Sequence, residues 1–189
     1  MKFSGLKKAL AVGVCAVSLM GFGGTASAEF QEFPIGDTIL DKKNHFECAL
    51  VYFQPIEMLP AGMMLPPDKA DIHIETDIHA TEGNDTGFGV GEWIPYLTVH
   101  YTFTKRETGE KIEGVFMPMN ADDGPHYGAN IKMPTADTYS VKLTFHSPEE
   151  NGFLIHLDDE TGPGGALTDY EWPLVLELDD VWDYVPQEW

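Results

Sequence analysis

In the stretch Y-L-T-V-H-Y-T-F-T-K, from Tyr96 to Lys105, every second residue is large and apolar: Leu97, Val99, Tyr101 and Phe103. A period of two places those side chains on one face of an extended strand and the polar ones on the other; a helix has no such symmetry. The pattern recurs over Phe46 to Gln54, Ala70 to Ala80, Lys111 to Met119, Thr138 to His146, Gly152 to Leu157 and Leu174 to Trp182, with Glu107-Thr108-Gly109-Glu110 reading as a hairpin turn. Pro, Gly, Asn and Asp punctuate the intervals, and no segment sustains helical spacing beyond a turn or two. About seven strands of this kind predict an all-β fold, an immunoglobulin-like antiparallel β-sandwich. The segments Pro55 to Asp68, Thr81 to Gly91 and Asn120 to Pro134 are longer than hairpins require, and long loops at one end of a sandwich are where a site is built.

The first residues stand apart from this pattern. Lys2, Lys7 and Lys8 precede an apolar stretch, Ala9 to Gly24, that is short and broken by glycines, and Ala26-Ser27-Ala28 supplies small residues for cleavage. Residues 1–28 therefore read as a signal peptide, and 29–189 as one exported domain. Losing the three lysines takes the formal charge from −20 to −23. Such an excess excludes nucleic acid as a partner, since phosphates would be repelled, and concentrates cations at the surface. Cys15 leaves with the leader, so Cys48 has no partner for an intramolecular disulfide; its apolar setting, F-E-C-A-L-V-Y-F, marks it as a small core residue.

Three stretches carry metal-ligating chemistry. In A-D-I-H-I-E-T-D-I-H-A, His73, Glu75, Asp77 and His79 share a face while the isoleucines pack inward. Neighbours on that face lie about 6.5 to 7 Å apart, so one ion bridges an i, i+2 pair such as His73 and Glu75 but not all four groups. On this segment alone, a solvated polar face of an edge strand explains the pattern as well. In F-M-P-M-N-A-D-D-G-P-H-Y-G-A-N-I-K-M, Pro118 marks a strand end or edge, and Asp122-Asp123-Gly124-Pro125 is a turn that returns His126 towards Met119. A thioether with an imidazole is a soft-plus-borderline ligand pair. His156, in F-L-I-H-L-D-D-E-T-G, by itself reads as an ordinary core or surface histidine. No nucleophile elbow, phosphate loop or zinc-protease motif is present, so nothing supports a conventional enzyme.

Together these motifs, with the intervening G-F-G-V-G-E-W-I-P-Y-L, resemble the FetP-like family of periplasmic iron-transport proteins, in order and from about Phe33 to Gly162. The resemblance implies a homodimeric immunoglobulin-like sandwich that binds copper(II) and iron and assists an inner-membrane iron permease. It implies the ligands His73, Met119, His126 and His156, with Glu75 as an additional or switchable one. The alternative is a copper chaperone or buffer using the same ligands. Copper(II) should outcompete iron(II) at such a site, and binding should weaken below about pH 6.5, because ligating imidazole must be neutral. The chain departs from the family after Gly162, in an acidic, tryptophan-containing tail.

Overall fold

The computed structural model describes residues 30–163 and 172–189. The proposed leader, 1–28, lies outside them. Among the described residues nine strands form: β1 (Phe33–Pro34), β2 (Ile39–Asp41), β3 (Phe46–Phe53), β4 (Ile72–Ala80), β5 (Thr98–Lys105), β6 (Lys111–Asn120), β7 (Pro125–Ile131), β8 (Asp137–His146) and β9 (Leu174–Tyr184). The helical elements among the described residues are two 3-10 turns, Pro67–Lys69 and Pro148–Asn151. All pairings are antiparallel, in the order β1-β3-β4-β7-β6-β5-β8-β9, with β2 also on β3.

The fold is the all-β sandwich that the alternation predicts, and β6 makes it two-layered. From Lys111 to Phe116 this strand pairs with β5, and from Met117 to Asn120 it pairs with β7. It therefore leaves one sheet and enters the other. The two layers close on an aromatic core: Tyr52 of β3 meets Trp182 of β9 at 5.4 Å between ring centres, and Trp182 meets Phe103 of β5 at 5.2 Å. Cys48 is buried in this core, its Sγ 3.0 Å from the Thr76 hydroxyl, and burial pushes its thiol pKa up to about 12.

Three details differ from the sequence expectation. Gly152 to Leu157 forms no strand; after the Pro148–Asn151 turn the segment runs without a ladder partner and leaves Leu154 and Leu157 exposed. A seventh strand partner appears instead as β7, inside what reads as the loop Asn120 to Pro134. Finally, β4 is no edge strand: it lies between β3 and β7, and of its polar face His73 and Glu75 are buried along with the isoleucines while Asp77 and His79 are half-buried.

Candidate metal centre

The site begins with the register of β4 against β7. His73 pairs with Asn130 and Glu75 with Gly128, while His126 stands two residues beyond Gly128 on the same face of β7. On the other side, β6 places Met119 directly opposite His126, so that the half-buried thioether side chain and the imidazole share a face. Three neighbouring strands thus deliver to one patch what sequence spacing leaves scattered.

Glycine opens the patch. A methyl group on Gly128 would lie 2.9 Å from His73 Nε2, 3.2 Å from Glu75 Cβ and 2.8 Å from the Ile74 carbonyl. Into this space His73, Glu75 and His126, all buried, each direct a ligand atom, the three lying within 4.8 Å of one another. Glu75 Oε2 is 2.9 Å from His126 Nε2 and 3.9 Å from His73 Nε2. Neither ring nitrogen completes a hydrogen bond: both are buried polar atoms without an aligned partner. Orphaned buried nitrogens of this kind require an explanation, and a shared cation supplies one.

The spacing fits an ion. With metal–nitrogen bonds of about 2.0–2.1 Å and about 1.1 Å from nitrogen to ring centre, two imidazoles facing each other across one ion have centres about 6.3 Å apart. The rings of His73 and His126 stand 6.4 Å apart. Two imidazoles with an adjacent carboxylate oxygen would suit a borderline ion such as copper(II).

The tautomer of His73 is set from behind. Asn130 Nδ2 donates to the carbonyls of Ile56 (2.8 Å) and Leu65 (2.9 Å), which turns its Oδ1 towards His73. The imidazole Nδ1–H must then donate to that oxygen, at 2.9 Å, leaving a lone pair on Nε2 for the site. Burial holds the His73 pKa down to about 4, against smaller opposing effects of Asn130 and Glu75, so this ring is neutral. His126 behaves oppositely. Burial disfavours its charge, but the Glu75 carboxylate, Asp77 and the Gly124 carbonyl together outweigh burial and raise its pKa.

Glu75 also belongs to a second cluster. One oxygen each from Glu32, Glu75 and Asp123 lie within 4.8 Å of one another at the mouth of a cleft of about 290 Å³, whose lining includes Phe30, Phe53 and His126. Burial raises the Glu32 pKa, with repulsion from Glu75 and Asp123 adding to it, and burial followed by Glu75 raises that of Asp77. Crowded carboxylates that resist ionisation together are relieved by a cation. The centre therefore has a nitrogen-rich side and an oxygen-rich side joined by one carboxylate.

Of the residues named from sequence, the structure brings together His73, Glu75 and His126, and sets Met119 beside His126. His79 belongs to neither cluster; its backbone pairs with Trp93. His156 also lies outside both, its side chain 72 % exposed and its Nδ1 2.8 Å from the Thr161 hydroxyl. Sequence reasoning passed over Gly128, Asn130, Glu32 and Asp123. The signal for the first two was the alternation His126, Gly128, Asn130 in P-H-Y-G-A-N, masked by its turn-forming composition.

The model of a family described as Fe2+ transport protein matches residues 29–185. The 34 kDa membrane antigen of Treponema pallidum (strain Nichols) is 45% identical over 159 residues, covering 82% of this chain and 75% of that one. Among solved structures, a copper-bound glutamate-to-glutamine variant of FetP from uropathogenic Escherichia coli strain F11 is 48% identical, with TM-score 0.76 over 84% of this chain and 96% of that one. A copper-bound methionine-to-isoleucine variant of Campylobacter jejuni P19 is 42% identical, with TM-score 0.74, 82% of this chain and 100% of that one being covered. With the match running from residue 29 to residue 185 and solved relatives sharing the fold, this chain belongs to the Fe2+ transport protein family.

Proposed function

We propose that this chain is a periplasmic metal carrier that holds copper(II) and takes iron as cargo, assisting iron uptake beside an inner-membrane permease. The observation that carries this reading is the pair of buried imidazole nitrogens, on His73 and His126, aimed into one space and sharing Glu75. Copper(II) belongs on the nitrogen-rich side, with Met119 as a weak sulfur ligand; the harder iron ion belongs with Glu32, Glu75 and Asp123. Glu75 links the two, and the chain acts as a carrier rather than as an enzyme. The reading is supported by the family and by the copper bound to the FetP and P19 variants.

His156 enters from a second copy in a homodimer. It is exposed, and the neighbouring Leu154 and Leu157 are 88% and 80% exposed, so docking this segment against another protomer buries apolar surface as it delivers an imidazole. Thr161 donates its hydroxyl to Asp158 at 2.6 Å and accepts from His156 Nδ1, which leaves Nε2 of His156 free to ligate.

The test is elemental analysis of the protein purified from its native compartment. Stoichiometric copper, lost in His126→Ala and reduced in His156→Ala, is expected; retention of copper in His126→Ala refutes the site. Iron loading of Glu75→Gln should fall, and unchanged iron affinity removes Glu75 from the pathway. The nitrogen-and-sulfur donor set also favours the second reading, a copper chaperone or buffer. A deletion strain impaired under copper limitation but not under iron limitation would select it.

A further inference from the structure

We propose a second, independent transition-metal site on the outer face of the other sheet, formed by His100 and His146 and taking a borderline divalent ion such as zinc(II) or copper(II).

The framework is the β5–β8 ladder, in register from Thr98↔His146 to Lys105↔Tyr139. Val99, Tyr101 and Phe103 on β5 and Leu143 and Phe145 on β8 point into the core, so His100 and His146 face out. His100 opposes Thr144 and Thr98 opposes His146, which makes the two imidazoles diagonal neighbours on one face. Their ring centres are 5.2 Å apart at an interplanar angle of 66°. An ion lies about 3.2 Å from the centre of each ligating ring, so two imidazoles at a tetrahedral angle have centres about 5.2 Å apart. The spacing of the two ring centres thus matches that of two ligands on one ion.

Glu150 completes the arrangement. Its Oε2 is 3.3 Å from His146 Nδ1, which favours the proton on that nitrogen and the lone pair on Nε2, the carboxylate–histidine arrangement common behind metal ligands. Glu150 is held on the Pro148–Asn151 turn, and that turn is tied to the start of β5: Asn151 Nδ2 donates to the Tyr96 carbonyl at 2.6 Å and to the Thr98 hydroxyl at 2.9 Å. The ligand pair therefore stands on two central strands, with its supporting carboxylate anchored two residues from His100. Water fills the remaining coordination positions, since the site is open to solvent. The ion is held more weakly than at the buried centre, and the negative field of the chain, −20 in all, supplies cations to it.

Zinc(II) titration of the metal-free full chain by calorimetry, near neutral pH, tests this. Wild type should show a tight and a weaker class of site. His100→Ala and His146→Ala should each lose the weaker class and keep the tight one, whereas His126→Ala should do the reverse. Glu150→Gln should weaken the second class by about tenfold or more. All of these side chains except His126 lie at the surface, so circular dichroism of the first two variants should match wild type. A double variant His100→Ala/His146→Ala that titrates as wild type does, or a weaker class that disappears only in His126→Ala, overturns the proposal.

Discussion

Gly128 shows how far a residue without a side chain can govern the proposed metal centre. Because a methyl group would meet His73 Nε2, Glu75 Cβ and the Ile74 carbonyl at once, Gly128→Ala should abolish copper binding and destabilise the fold by about 1–3 kcal/mol, read as copper stoichiometry and urea midpoint. Asn130 acts on the same ring from behind: Asn130→Ala frees the His73 tautomer and unpairs two carbonyls, and copper affinity should fall about 10- to 100-fold by competition titration. The two histidines also set the pH response. His73 is neutral until about pH 4, so it does not limit binding; His126, raised above its ordinary 6.5, must release its proton to the solvent before it ligates. Copper affinity should therefore decline on acidification from above pH 6.5, higher than a free imidazole implies, as a pH series of the same titration would reveal. In the metal-free protein the two act in opposite senses. The depressed pKa of His73 gives stability present above 6.5 and lost as pH falls towards 4, whereas the raised pKa of His126 gives stability present below 6.5 and lost as pH rises past its folded value.

Among the elements, β6 and β7 do most to build the site. Pro118 reads as a strand-end or edge signal in the sequence, and locally it is one: β6 pairs with β5 only up to Phe116 and with β7 alone from Met117, so the proline sits just past the exchange of partners with no second strand beside it. That exchange brings Met119 to His126. The strand character of β7 is hidden locally because proline, glycine and asparagine have low strand propensity; long-range pairing with β4 and β6 on both sides overrides it. Tyr127 then fastens the segment before β5 to β7: its hydroxyl donates to the Ile94 carbonyl at 2.9 Å and accepts from the Leu97 N–H at 3.0 Å, deep in the core. Tyr127→Phe leaves that N–H buried without a partner, and the urea midpoint should drop by an amount equivalent to about 1–3 kcal/mol, with the denaturant slope unchanged. The unpaired segment Gly152 to Leu157 is the opposite case, apolar alternation with no ladder. If it docks on a second copy, Leu154→Asp should shift the protein towards monomer in sedimentation while its thermal unfolding remains cooperative.

At the scale of the whole molecule, the core is aromatic and holds its phenols and thiol in their neutral forms. Burial raises the pKa of Tyr52, Tyr101, Tyr127 and Tyr139, pushes Tyr184 up to about 12 and pushes Cys48 to about 12. The unfolded chain releases these protons near its ordinary values of 9.0 and 10.0 while the folded chain retains them, so the unfolded state gains on raising the pH. Beyond the histidine effects around neutrality, chemical denaturation midpoints should therefore fall steeply above about pH 10. Dense negative charge adds to this, because self-repulsion disfavours the compact state as positive lysines are also lost.

What the amino-acid sequence determined by itself was the class of fold and the types of the candidate ligands. Period-two alternation specifies strands and their inward faces locally, and His73 with Glu75 follows from a spacing internal to one strand. What only the tertiary structure decided was convergence: that β4 is interior, that β7 exists and lays Gly128 and Asn130 beside Glu75 and His73, that β6 crosses between sheets, and that His100 meets His146 while His156 stands away. Those relations rest on hydrogen-bonded register between segments distant in the chain, where a slip of one residue reverses every side chain, and no local pattern encodes that choice.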